Sequence, residues 1–317
     1  MSFEDSTQLL FAGRYQLERP IGSGRTSTVW RAWDETLGRT VAVKVVSVAL
    51  LPDVLLRARL LEQTRLAAAL RHPGLPAIYD FGEASVPGGR DTPFIVMEHL
   101  QGESLAARLA RGILDRDEAS GVCGAVANAL AIARDAGLVH HDVRPSKIFL
   151  AEDGVRLLGL GTGLPFAAGQ EPVVSPYTAP EQREATTGTG AADVYALGIV
   201  LAEATTGRLP GEDSLSAELP DGIAQLCARC WAEDPRDRPT ATEMAEILAN
   251  PVPAKPPVFE TTTALKEYPD QPPQAADLIA PRPPRRRPPT RRQRARRVRR
   301  VRRVVLATLP VALIVLL

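Results

Sequence analysis

The sequence predicts an α+β body followed by a linker rich in proline and arginine and a short apolar end. Three observations lead there. Strand-like runs stand near the start, at Val29–Trp33 and Val41–Val46. Apolar periodicity is continuous from Tyr15 to Leu248 with short loops, as one compact body requires. After Asn250 the composition changes abruptly to PVPAKPPVFE, PDQPPQ and PRPPRRRPPT.

The body comes first. Of 317 residues, 44% are hydrophobic and 24% charged, an ordinary globular composition that excludes a collagen-like or wholly disordered chain. Lys+Arg number 38 against 37 Asp+Glu, but 13 arginines and no acidic residue lie between Arg282 and Arg303. The preceding part therefore holds 25 basic and 37 acidic residues, a net charge of −12 joined to an intensely basic stretch. Three cysteines cannot make a disulfide framework, so a reducing cytosol is the expected compartment. The N-terminal MSFEDSTQLL has no basic region ahead of an apolar core, and no signal peptide is expected.

Within the body, Ile21-Gly22-Ser23-Gly24-Arg25-Thr26-Ser27-Thr28-Val29 leads into the first strand-like run. The turn Leu37-Gly38-Arg39-Thr40 leads into the second, Val41-Ala42-Val43-Lys44-Val45-Val46. Two glycines one residue apart let backbone amides approach phosphate oxygens with no Cβ in the way. A plain hairpin turn would read the same. Lys44, on the next strand, can reach phosphates as a point charge. A dinucleotide fingerprint does not fit, because a strand follows the glycines where a helix N-terminus would be needed.

Residues 251–290 read as a disordered, semi-rigid, solvated linker, since proline removes backbone donors and favours extended geometry. Beyond the arginines, Val304–Leu317 is uncharged and interrupted by Pro310. As a helix it would span about 21 Å, short of the roughly 30 Å hydrocarbon core of a bilayer. The arginines before it suit the cytoplasmic side of a membrane and an anionic lipid surface. A nucleic-acid-binding tail is the alternative, though it gives no reason for an apolar end. Whether the segment lies on the bilayer or is a spanning helix cut short stays open.

The ordered motifs resemble those of eukaryotic-type protein kinases. Gly22, Gly24 and Lys44 are similar to the glycine-rich loop and strand lysine, and Met97-Glu98-His99 to the hinge. His140-His141-Asp142 is similar to the catalytic loop, Ala179-Pro180-Glu181 to the close of the activation segment. Asp193-Val194-Tyr195-Ala196-Leu197-Gly198 and Asp234-Pro235-Arg236-Asp237-Arg238-Pro239 complete the series. The resemblance implies a two-lobed fold: a tail over 1–12, a small β-rich lobe over 13–98 and a larger helical lobe over 99–250. A juxtamembrane linker over 251–303 and a membrane-anchor candidate over 304–317 follow, as in bacterial membrane-anchored Ser/Thr kinases. It also implies a nucleotide site at Ile21, Gly22, Ser23, Gly24, Val29, Ala42, Lys44, Met97, Glu98 and Phe149, with Asp142 and Lys44 as the catalytic positions.

The chain departs from the family pattern where the chemistry lies. Family members hold magnesium through the aspartate of Asp-Phe-Gly and an asparagine five residues after the catalytic aspartate; here those positions are Gly159 and Lys147. Magnesium demands oxygen ligands, and each preorganised contact is typically worth ~10²–10³ in rate. The glutamate that pairs with the strand lysine is Gln63, which offers no opposite charge. Glu62, one residue away, is rotated about 100° around a helix. His141 replaces an arginine, Val174 a threonine, and Phe149 an aliphatic residue that floors the adenine site.

Scaffold positions match the family instead. His140, Leu160, Glu181, Asp193 and Arg238 occupy places that hold the large lobe together, and the resemblance pairs Glu181 with Arg238. Cys227 and Cys230, flanked by Leu226 and Trp231, read as a buried helix rather than a zinc or redox site. The expectation is a membrane-tethered pseudokinase with its kinase-like domain in the cytoplasm, acting through a protein partner. ATP is the implied ligand, while magnesium and nucleic acid are not expected. A slow Ser/Thr kinase that keeps Gly22, Gly24, Lys44 and Asp142 is the second reading.

Overall fold

The computed structural model describes residues 10–24, 27–47, 54–84, 91–161, 174–183, 189–210 and 219–249. The linker over 251–303 and the apolar segment Val304–Leu317 lie outside these residues. Among the described residues, no helix is long and apolar enough to cross a membrane.

The chain opens with an antiparallel sheet of five strands in the order β1-β2-β3-β5-β4. They are β1 (Tyr15–Ser23), β2 (Ser27–Asp34), β3 (Arg39–Val46), β4 (Ile78–Ala84) and β5 (Thr92–Glu98). Strand alternation explains its two faces. Trp30 and Ala32 of β2, Val41, Val43 and Val45 of β3, and Phe94 and Val96 of β5 are buried together with Tyr15. The neighbouring positions Val29, Ala42, Lys44 and Met97 point to the opposite face. At the outer edge the buried Asp34 carboxylate is held by a bidentate Arg14, at 2.7 Å to each oxygen. That guanidinium keeps Asp34 below the usual carboxylate range against the pull of burial. The Tyr15 hydroxyl donates to Asp80 at 2.7 Å.

Helix α1 (Val54–Ala69) sits between β3 and β4 in the chain. A second, three-stranded antiparallel sheet, β6 (Gly102–Ser104), β7 (Ile148–Ala151) and β8 (Gly154–Leu157), begins the larger lobe. The helices are α2 (Leu105–Leu109), α3 (Arg116–Asp135), α4 (Pro180–Arg183), α5 (Gly190–Thr206), α6 (Asp221–Cys230) and α7 (Ala241–Ala249).

Local chemistry sets their limits. Asp115 caps α3 by accepting the Glu118 N–H at 2.8 Å, and Ser104 caps α2 through the Ala107 N–H at 3.2 Å. Before α7, Thr240 and Glu243 cap each other reciprocally: the Glu243 N–H donates to Thr240 Oγ1 at 3.1 Å and the Thr240 N–H to Glu243 Oε2 at 2.7 Å. Helix α5 is apolar around most of its circumference and forms the centre of the lobe, with α3 and α6 packed against it. Gly198 makes the α5–α6 approach possible, since a Cβ there would stand 2.6 Å from Cys230 Cβ.

The cysteines belong to this packing, as the sequence context of Cys227 and Cys230 implies. Cys123, Cys227 and Cys230 are buried free thiols, and burial pushes Cys123 and Cys230 up to about 12. Such thiols are poor nucleophiles.

The Glu181–Arg238 pair forms as the resemblance implies. Arg238 donates to the two Glu181 oxygens at 2.7 and 2.9 Å and to the carbonyls of Ala232, Ala191 and Glu233 at 2.8, 3.2 and 3.3 Å. Its side chain is fully buried. Removing the guanidinium strips five acceptors at once, so Arg238→Ala is expected to lower stability by ~3–5 kcal/mol in denaturant titration. Glu181→Gln, which keeps an acceptor oxygen, is expected to cost less.

Candidate functional site

The sheet register assembles the upper wall of the cleft. Lys44 stands opposite Val29 on β2 and Ile95 on β5, while Ala42 stands opposite Met97. Cross-strand partners share a face, so Val29, Ala42, Lys44 and Met97 line one surface. Ile21, Gly22, Ser23 and Gly24 form the β1 arm of the hairpin above it, with Gly22 paired to Val29 and the Gly24 N–H donating to the Ser27 carbonyl at 2.9 Å. The hairpin tip, Arg25 and Thr26, lies outside the described residues. Among the described residues, a Cβ on Gly22 or Gly24 would meet nothing closer than 3.7 Å. Packing among the described residues therefore does not require glycine at either place.

Glu98 faces away from the cleft wall. Its carboxylate accepts the Ala77 N–H at 3.2 Å while its own N–H donates to the Ala77 carbonyl at 2.9 Å, fixing the end of β5. Phe149 lies in β7, half-buried, opposite Ser104 and Arg156.

The lower wall is built outward from a buried carboxylate. Asp193, near the start of α5, accepts the N–H groups of His140 and His141 at 2.7 and 2.8 Å. Burial pushes it up to about 7, against those two donors, which favour its charged form. His141 takes a left-handed backbone, φ 65°, uncommon for a residue with a Cβ and held here by that anchor. The Asp142 N–H donates to His140 Nδ1 at 3.2 Å, which places the ring proton on Nε2, 2.9 Å from the Leu158 carbonyl. Burial lowers His140 to about 4, so this bridge is neutral. The Leu158 N–H in turn donates to the Lys147 carbonyl at 2.7 Å. Backbone and imidazole thus lock residues 140–142, Lys147 and Gly159 into one frame.

Two cations address Asp142 across that frame. Lys147 Nζ lies 3.9 Å from Oδ2 and Arg144 Nε 2.9 Å from Oδ1. The arginine contact is charge to charge, since Arg144 Nε has no partner in hydrogen-bond geometry. All three side chains are partly exposed, where such pairs contribute ~0–1 kcal/mol. The cluster does little for stability.

Gly159 adopts φ 100°, and a Cβ built on it would stand 3.9 Å from Lys147 Cδ and 3.6 Å from His140 Nε2. The lysine stem therefore runs past the position whose family counterpart carries a carboxylate. Among the described residues, no group of three or more His, Cys, Asp or Glu could hold a metal ion.

Lys44 is within electrostatic reach of both Lys147 and Asp142. Burial, then the Lys147 charge, lower it to about 7, with Asp142 opposing. Gln63 is half-buried and Glu62 is exposed, consistent with their different faces of α1. Val174 is 59% exposed.

Two features escaped the sequence reading. One is the Arg144 contact with Asp142, because a spacing of two residues fixes no geometry outside regular structure. The other is a clamp between α1 and the segment after β8: Thr64 Oγ1 donates to the Gly161 carbonyl at 3.1 Å. A Cβ on Gly161, φ 66°, would stand 2.6 Å from both Ala67 Cβ and the Gln63 carbonyl. The glycine that ends Gly159-Leu160-Gly161 was the available signal.

A two-lobed body with a cleft lysine on β3, a looped aspartate beneath it and a buried Glu–Arg pair defines a kinase-like domain. Residues 15–248 match the family model described as protein kinase domain, and the chain belongs to that family. It is 33% identical over 274 residues to the serine/threonine-protein kinase PknA of Mycobacterium tuberculosis, covering 77% of this chain and 64% of that protein. It is also 33% identical over 213 residues to a probable serine/threonine-protein kinase PknB of Corynebacterium glutamicum, covering 64% of this chain and 33% of the relative. The match therefore spans less than two thirds of these relatives' own length. The crystal structure of the Mycobacterium tuberculosis PknI kinase domain is similar, with TM-score 0.64 and 28% identity, over 78% of this chain and 98% of that one. The domain is of the bacterial Ser/Thr kinase type.

The lowered Lys44 supplies a pH test. A lysine whose folded pKa lies below its unfolded value destabilises the fold while charged, fully below about 7 and not at all above its ordinary 10.5. Stability from this group therefore rises with pH between those values. Lys44→Met is expected to raise the denaturation midpoint more at pH 7 than at pH 10.

Proposed function

We propose that this chain is a membrane-tethered pseudokinase that binds nucleotide weakly or without metal and signals through a protein partner. One observation carries the reading: both oxygens of Asp142 face cations of the protein itself, Lys147 and Arg144, while Gly159 brings no carboxylate. In protein kinases a bound magnesium ion supplies positive charge across the phosphates. Here the donor set does not fit such an ion, because hard oxygen ligands are replaced by an ammonium and by hydrogen. A carboxylate engaged by two cations is also a poor acceptor for a substrate hydroxyl proton. What the cleft retains is a glycine hairpin, Lys44 and an ordered frame around Asp142, which suit binding. Nucleotide-dependent conformation, read by a partner, is the output such a domain can give without turnover.

The second reading is an atypical Ser/Thr kinase that transfers the ATP γ-phosphate to protein Ser or Thr. It draws support from the partial exposure of Asp142, from the placement of Lys44 in the cleft and from the kinship with proteins named as kinases. Phosphate incorporation with magnesium or manganese separates the two. The wild type is expected to incorporate no more than Asp142→Asn; incorporation that both Lys44→Ala and Asp142→Asn abolish would establish the kinase.

Tethering rests on the sequence of the C-terminal part. Arg282–Arg303 suits an anionic membrane surface and Val304–Leu317 an apolar anchor. Nucleic acid is the less favoured ligand for these arginines, since it leaves the apolar end unexplained. The full chain is expected to float with vesicles containing anionic lipid, and a chain ending at Asn250 is not. Flotation of both, or of neither, would remove the tether from the proposal.

A further inference from the structure

We propose, resting on the pseudokinase reading, that this cleft selects nucleotide free of divalent metal, so that magnesium antagonises binding instead of supporting it. Two cations of the protein, Lys147 and Arg144, face the single carboxylate of Asp142, and Lys44 lies within electrostatic reach of it. The cleft therefore presents excess positive charge to whatever enters between the lobes. Lys147 is held rather than adventitious: its carbonyl accepts the Leu158 N–H, its stem lies beside Gly159, and its ammonium reaches toward Asp142.

A polyphosphate complements that charge with its own full anionic charge. A magnesium ion on the same phosphates cancels part of it and brings like charge against the ammonium of Lys147. The ion finds no compensating oxygen, since Gly159 has no side chain and each Asp142 oxygen already faces a cation. The like-charge conflict among the lysines is visible without ligand, for Lys147 lowers the pKa of Lys44. Metal and protein thus compete to neutralise one set of phosphate oxygens. By linkage, each then weakens the other's hold on the nucleotide.

Calorimetric titration of the full-length chain with ATP, first in EDTA and then at rising free magnesium under constant ionic strength, tests this. Constant ionic strength keeps general screening from imitating competition. Affinity is expected to fall at least ~10-fold as the ATP becomes saturated with metal. Lys147→Asn, which exchanges the ammonium for an amide oxygen, is expected to flatten or reverse that dependence. Lys147→Arg is expected to keep it. Thermal melting without nucleotide verifies that each variant is folded, and a folded Lys147→Ala stands in if the asparagine form is not.

Affinity that is unchanged or improved by magnesium would overturn the inference. So would an absence of binding heat in EDTA, or a folded Lys147→Asn that behaves as wild type. None of these results bears on phosphate incorporation, which alone decides between pseudokinase and kinase.

Discussion

The large lobe holds its central loop through a buried carboxylate. Asp193 receives the backbone N–H groups of His140 and His141, and His141 keeps a left-handed backbone because that anchor holds it there. His140 then spans from the Asp142 N–H to the Leu158 carbonyl as a neutral imidazole. Everything the cleft presents from below, Asp142, Lys147 and Gly159, takes its position from this chain of contacts. The anchor imposes geometry and leaves the identity of the outer side chains open. A scaffold of this kind can therefore keep its shape while its electrostatics change completely.

Charge is what has changed. In a metal-dependent site, protein oxygens hold a cation and the cation holds the phosphates. Here cationic side chains face the space directly, and the only carboxylate among the described members of the cluster is shared between Lys147 and Arg144. The pairs are too exposed to matter for folding. On the pseudokinase proposal, their weight falls on which ligand the cleft accepts and on whether a proton can leave a substrate. Both questions turn on residues that cost the fold almost nothing to alter.

Much of this was legible in the sequence because position along the chain carries it. The strand pattern placed Lys44 on β3, the family resemblance anticipated the Glu181–Arg238 ion pair, and the residues at 147 and 159 announced the altered donor set. What stayed hidden depends on where side chains turn in space. Glu98 occupies the position the resemblance gives to the hinge, and its carboxylate accepts the Ala77 N–H. Arg144 is two positions from Asp142, a spacing with no fixed meaning outside regular structure, so its contact needed coordinates. Gly22 and Gly24 show the reverse: the motif is evident in the sequence, while packing among the described residues gives no reason for it.

The clamp between Thr64 and Gly161 has a mechanical consequence. With a hydroxyl tied to the Gly161 carbonyl and no room for even a methyl group against Ala67, helix α1 and the strip of backbone just past Leu160 are geared together. Tilting one must displace the other. Gly159, which borders the Lys147 stem, lies two residues from that clamp, so the position of α1 and the backbone beside Lys147 share one short stretch of chain.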